Sequence, residues 1–154
     1  MQKIRVASRY LLPTESLMAL QAIAWAISGG LGHGRLWRIL ELRGENAAWL
    51  ALLGGVGLAI CMVCALEWFL GRAWPVSRVL ASVSLRAVGA FLMTAIWCYA
   101  LYVVLVYDPE RSVFVLTMMA PLNAAWSAWC FHENLKVRYA LEPRYATTRL
   151  HFHR

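Results

Sequence analysis

Residues 46–70 read NAAWLALLGGVGLAICMVCALEWFL, a run whose one charge, Glu67, comes near its end. About 20 consecutive apolar residues suffice for a helix to cross the hydrocarbon core of a bilayer. The run therefore predicts a membrane-spanning helix, with Asn46 placed to cap its start. Trp49 and Trp68 stand near its two ends, where indole rings favour the membrane–water interface. Within it, Ala51, Gly54, Gly55 and Ala59 supply small residues, with Ala51, Gly55 and Ala59 four apart. That spacing lets another helix approach closely and marks a packing face.

Working outward, three more apolar stretches cover 16–31, 79–107 and 112–131. The chain is 61% hydrophobic and 15% charged, with a mean hydropathy of +0.56. Soluble domains average about 45–50% apolar and about 25% charged residues. The expected fold is therefore all-α: one polytopic transmembrane bundle of four spans over 1–131, followed by a basic tail, 132–154. Thr14 after Pro13 reads as the N-cap of the first span, which ends at Gly29-Gly30. Its uncleaved form is preferred to a signal peptide, because Pro13, Glu15 and Gln21 interrupt the apolar region. In the fourth span, Pro121 removes a backbone hydrogen bond, and Asn123 or a neighbour is expected to satisfy the freed carbonyl. Pro143 argues against one long helix through the tail.

Charge sets the orientation. With both termini inside, ten of the fifteen Lys and Arg residues fall on the inner side, and Arg35, Arg38, Arg43 and Arg111 on the outer. The positive-inside rule favours that arrangement, in a bacterial inner membrane. Residues 35–43 alternate Arg35, Arg38 and Glu41 with apolar neighbours and read as a short interfacial helix anchored by Trp37, with Gly34 and Gly44 at its ends. The net charge of +7 points to anionic lipid headgroups rather than nucleic acid. Arg35, Arg38, Trp37, Lys136, Arg138, Arg144 and Arg149 are the residues expected to meet headgroups or a protein partner.

Chemistry-bearing residues are few. Arg86 lies within the third span, and a charge there by default marks a functional hypothesis. Folding the second and third helices back on each other leaves Glu67 nearer the surface, within reach of a snorkelling arginine. Arg86, Glu67, Asn123 and Gln21 thus form a candidate intramembrane polar site for an ion, proton or anionic ligand, or else a structural pair that sets helix register. Trp25 and Trp97 lie deeper than the other tryptophans and call for packing against neighbouring helices or for a stacked ligand. His151 and His153 make a weak metal pattern, and no catalytic motif of the soluble kind is present. Neither a metal nor a cofactor is expected.

Cys61-Met62-Val63-Cys64 forms a C-x-x-C, and Cys98 and Cys130 complete four cysteines. On these residues the chain resembles the inner-membrane disulfide-generating oxidoreductases, which have four helices, both termini inside, and a quinone. In that family the redox cysteines lie at the outer face, whereas Cys61 and Cys64 here fall in the inner half of a span. Four spans, the Gly-Gly and small-residue faces and the tail after Phe131 also resemble small accessory membrane proteins of bacteria and tailed phages, holins among them. That resemblance implies oligomerisation in the inner membrane and, for a holin, timed permeabilisation. The leading expectation is a non-enzymatic membrane protein acting by helix packing and oligomerisation, as a homo-oligomer or a subunit of a larger assembly. The alternatives are a small transporter or channel using Arg86 and Glu67, and a quinone-linked thiol oxidoreductase using Cys61 and Cys64.

Overall fold

A computed structural model of the chain describes residues 2–31, 39–41, 44–71, 74–107 and 114–152, with side-chain surroundings for 11–31, 39–41, 44–71, 74–107 and 119–142. The described residues are helical apart from turns and connections. Four long helices follow one another: α1 (Gln2–Gly30), α2 (Asn46–Leu70), α3 (Val76–Tyr107) and α4 (Phe114–Phe152). They run up-down-up-down. Cross-helix contacts between neighbours pair rising with falling residue numbers, as in Ala19 with Gly57, Ile60 with Gly89, and Glu15 with Asn134. The most extensive packing joins α1 to α2 and α3 to α4.

Two helices, α2 and α3, are long and apolar enough to cross a membrane. The other two are diluted by polar residues that they turn inward: Glu15 on α1, and Asn123, Ser127 and Asn134 on α4. The inward stripe of α4 is Ala120, Asn123, Ser127, Cys130, Asn134, Val137 and Leu141, all buried. These positions alternate three and four apart, the spacing that keeps one helical face on a neighbour. The stripe crosses residue 131 without a break. The expected division into a span and a separate tail is thereby corrected: packing continues to Leu141, and the helix runs through both Pro121 and Pro143.

Other local expectations also change. α1 runs through Pro13, so Thr14 is inside a helix and not its cap. The N-cap of α2 is Glu45, with no side-chain capping bond, and Asn46 is the first helical residue. Asn123 Nδ2 has no hydrogen-bond partner among the described residues and so does not satisfy the carbonyl freed by Pro121. Ahead of α2, residues 39–41 are helical and close on Gly44, whose φ of 70° suits a residue without Cβ. Gly44 N–H donates to Glu41 O and Glu45 N–H to Leu40 O, each at 2.9 Å, the paired bonds of a Schellman ending. Arg35, Trp37 and Arg38 of the expected interfacial helix lie outside the described residues.

Close approach between helices occurs at two glycines. A Cβ at Gly57 would come within 2.9 Å of the Ala19 carbonyl oxygen, and one at Gly89 within 2.6 Å of Ile60 Cγ1. Of the small residues singled out in α2, Gly54 makes ordinary contact with Ala26. Ala51, Gly55 and Ala59 face outward, and a Cβ on Gly55 would meet nothing within 4 Å. Among the described residues they do not form a packing face. The interior is a large apolar cluster running from Leu12 and Met18 past Ile60 and Met93 to Trp97 and Val104, and a smaller one of Leu11, Val79, Val83, Val137 and Leu141.

Candidate functional site

An ionic layer of buried side chains crosses the bundle interior. Each helix contributes from its inward face: Glu15 from α1, Glu67 from α2, Ser82 and Arg86 from α3, and Asn134 from α4. All are buried, and Arg86 is among the largest side chains sealed in the protein, at 1% exposure. The up-down order explains the convergence. It brings the middle of α1, the end of α2, the first third of α3 and the middle of α4 to one level.

Arg86 binds both carboxylates. Its Nη1 donates to Glu15 Oε2 at 2.6 Å, across the bundle, and its Nη2 lies 3.4 Å from Glu67 Oε2. Glu15 Oε1 accepts a second bond, from Asn134 Nδ2, which also donates to the Cys130 carbonyl at 3.0 Å. Ser82 Oγ is 2.5 Å from Glu67 Oε2. A buried ion cluster of this kind offsets the cost of leaving water only when its lone pairs and protons find close partners. Here one guanidinium serves two carboxylates, and each carboxylate also has a neutral hydrogen-bonding neighbour.

The fold thus joins Arg86 and Glu67, as the fold-back of α2 on α3 predicts. Gln21 and Asn123 do not belong to the cluster. At about 1.5 Å per residue, Gln21 stands about 9 Å along α1 from Glu15, and Asn123 about 16 Å along α4 from Asn134. Three members were missed in the sequence. In the sequence Glu15 reads as a break in an apolar stretch, Asn134 falls in the tail, and Ser82 carries no distinguishing signal. The three-and-four alternation from Asn123 through Leu141 was the available signal for Asn134.

The cysteines are free thiols. Cys64 and Cys130 are buried near the ionic layer, with Cys64 Sγ 3.9 Å from Glu15 Oε2; Cys61 is half-buried and Cys98 exposed. Cys61 and Cys64 border a groove of about 300 Å³ between α1 and α2, with Leu12, Pro13, Trp68 and Phe69 among its walls. No group of His, Cys, Asp and Glu among the described residues could hold a metal ion.

The deep tryptophans pack on each other: Trp25 and Trp97 meet edge to face, 5.8 Å between ring centres. Trp49 is buried, stacked on Tyr99 at 5.0 Å, and does not belong to an outward-facing belt; Trp68 is exposed. Tyr99 in turn donates to Glu45 Oε2 at 2.9 Å. Of the basic residues expected to meet headgroups, Lys136 pairs with Glu133 at 2.6 Å and Arg138 with Glu142 at 3.4 Å. Arg144 and Arg149 have side chains outside the described set. Comparison with family models, with curated proteins and with solved structures gives no match.

Proposed function

We propose that this chain is a multi-pass protein of a bacterial inner membrane, its four long helices crossing the bilayer and both termini cytoplasmic. It acts without catalysis, by associating with copies of itself or with a larger membrane assembly. Support for the membrane setting is the inverted distribution of polarity. Leu17, Leu20, Ile27, Leu58, Phe69 and Phe91 are exposed, while Glu15, Glu67 and Arg86 are buried. Monomeric soluble proteins rarely expose contiguous apolar patches larger than a few hundred Å².

The observation that carries association is the open face of α2. Its own bundle uses Gly57 and Gly89 for close contacts, leaving Ala51, Gly55 and Ala59 exposed among the described residues. In lipid, small residues at four-residue spacing favour helix–helix contact by allowing backbones to approach. The test is cross-linking in native membranes together with membrane potential and lysis during controlled expression. Wild type should form oligomers, and Gly55→Leu should abolish them while its monomer folds normally. A monomer at every expression level would sink the association reading. Depolarisation lost in Gly55→Leu would identify the assembly as a holin-like pore.

A second reading, a small transporter or channel, is favoured by one feature: the charged residues sit in a layer to which all four helices contribute. Ionisable groups inside membrane segments mark ion or proton pathways by default. On this reading Glu15, Arg86 and Glu67 are its centre, and substituting Glu67 abolishes flux in reconstituted vesicles while the bundle stays folded.

A further inference from the structure

We propose that the groove between α1 and α2 holds one acyl chain of an anionic phospholipid of the cytoplasmic leaflet, with the headgroup at the groove's inner mouth. This rests on the membrane reading above and goes beyond it by naming a bound lipid.

The groove lies where the two helices part. At Gly57 a Cβ would come within 2.9 Å of the Ala19 carbonyl oxygen, so the backbones nearly touch there. Toward the start of α1 and the end of α2, the facing residues are Pro13 and Ser16 against Cys61 and Ala65. These short side chains leave about 300 Å³ between the helices. The lining side chains are uncharged, and Ser16 carries the one hydroxyl among them. A void lined by apolar atoms forfeits dispersion contacts. Water is a poor occupant, because it needs two to four polar partners. In a bilayer the material that reaches such a groove is hydrocarbon.

The groove also has a direction. It runs from Cys61 and Ser16 at one end to Trp68, Phe69 and Leu12 at the other, as the antiparallel order of α1 and α2 requires. Trp68 and Phe69 are exposed, and α2 stops at Leu70. Indole rings favour the membrane–water interface, so this end is the mouth at headgroup depth.

Charge then selects the headgroup. Beyond the mouth α1 continues to its start at Gln2, and residues 1–14 carry Lys3, Arg5 and Arg9 and no acid. Arg9 and Arg5 stand four and eight residues before Pro13, the spacing that keeps positions on one side of a helix. Arg72 follows two residues after α2 ends, and residues 71–85 also contain no acid. Basic residues at the cytoplasmic surface attract anionic lipid. A zwitterionic headgroup gains little from them.

Native mass spectrometry of the full chain, purified from bacterial membranes in detergent, tests this by titration with palmitoyl-oleoyl phosphatidylglycerol or phosphatidylethanolamine. Wild type should retain one phosphatidylglycerol in preference to phosphatidylethanolamine. Ala65→Phe places a ring in the groove from an exposed position and should abolish retention while circular dichroism and melting stay unchanged. Leu17→Phe, exposed on α1 outside the groove walls, should have no effect. Arg9→Gln should weaken phosphatidylglycerol binding about fivefold and leave phosphatidylethanolamine unchanged, and Arg9→Lys should retain it. A second readout needs no substitution. Phosphatidylglycerol should slow alkylation of half-buried Cys61 and leave exposed Cys98 unaffected. Equal retention of the two lipids, a neutral lipid held in place of phosphatidylglycerol, retention that survives Ala65→Phe, or an unprotected Cys61 would overturn the proposal. A membrane-inserted chain that retains no lipid removes the site alone, whereas a chain recovered in the soluble fraction removes the membrane reading and the site with it.

Discussion

Arg86 is the residue on which the interior depends, because both buried carboxylates are turned toward it. Removing one partner of a buried ion pair typically costs about 3–5 kcal/mol, since a charge is left without compensation. Arg86→Leu is accordingly expected to lose about that much in chemical or thermal unfolding in detergent, tracked by circular dichroism. The combined change Glu15→Leu, Arg86→Leu, Glu67→Leu should recover part of the loss, because no charge of the layer is then left unpaired, while Ser82 and Asn134 lose their carboxylate partners. If the triple variant were as unstable as the single one, the layer would be held by shape and not by charge. The residue scale is also where the sequence was least legible. A lone arginine among apolar residues is conspicuous, but its nearer partner, Glu15, is 71 residues away and read only as an interruption.

Among elements, packing is decided by which side of a helix a small residue occupies. Gly57 faces the Ala19 backbone, which cannot rotate away, so Gly57→Ala must push α1 from α2. Overpacking of that kind costs about 1–3 kcal/mol. Gly55→Ala, two residues earlier, meets no atom and should be neutral or gain about 0.5–1 kcal/mol from helix propensity. Unfolding of the two variants side by side in one detergent checks the contrast; equal effects would refute the assigned face. α4 offers a second test. Leu141 lies beyond the apolar run yet is 5% exposed. Leu141→Ala should therefore cost about 2–5 kcal/mol, as in other buried leucines, and not the negligible amount expected of a tail. The sequence showed the apolar runs of α2 and α3 plainly, because they are hydrophobic all round. It concealed the extent of α1 and α4, whose inward stripes mix polar with apolar residues.

At the scale of the molecule, the up-down order places the 31–45 connection at one end of the bundle and the α2–α3 turn at the other. In the proposed orientation these ends face opposite sides of the membrane. In a cysteine-free background, Glu41→Cys should react with a membrane-impermeant thiol reagent in intact spheroplasts, and Ser77→Cys only after permeabilisation. Labelling of both from the same side would exclude the four-span arrangement. The same order accounts for the ionic layer: four helices of alternating direction bring residues 15, 67, 86 and 134 to one level.

What the sequence determined by itself is a helical protein with long apolar runs at 46–70 and 79–107, and a charge at Arg86 able to reach Glu67 when the helices that carry them fold back on each other. These follow from local composition and from the short distance along the chain between α2 and α3. Tertiary structure alone decided that Glu15 and Asn134 complete the layer, that Gly57 and not Gly55 marks the close contact, and that α4 continues past residue 131. Each of these depends on which face of a helix meets which neighbour, and that is fixed by the rotation and register of four helices packed together, not by the residues of any one of them.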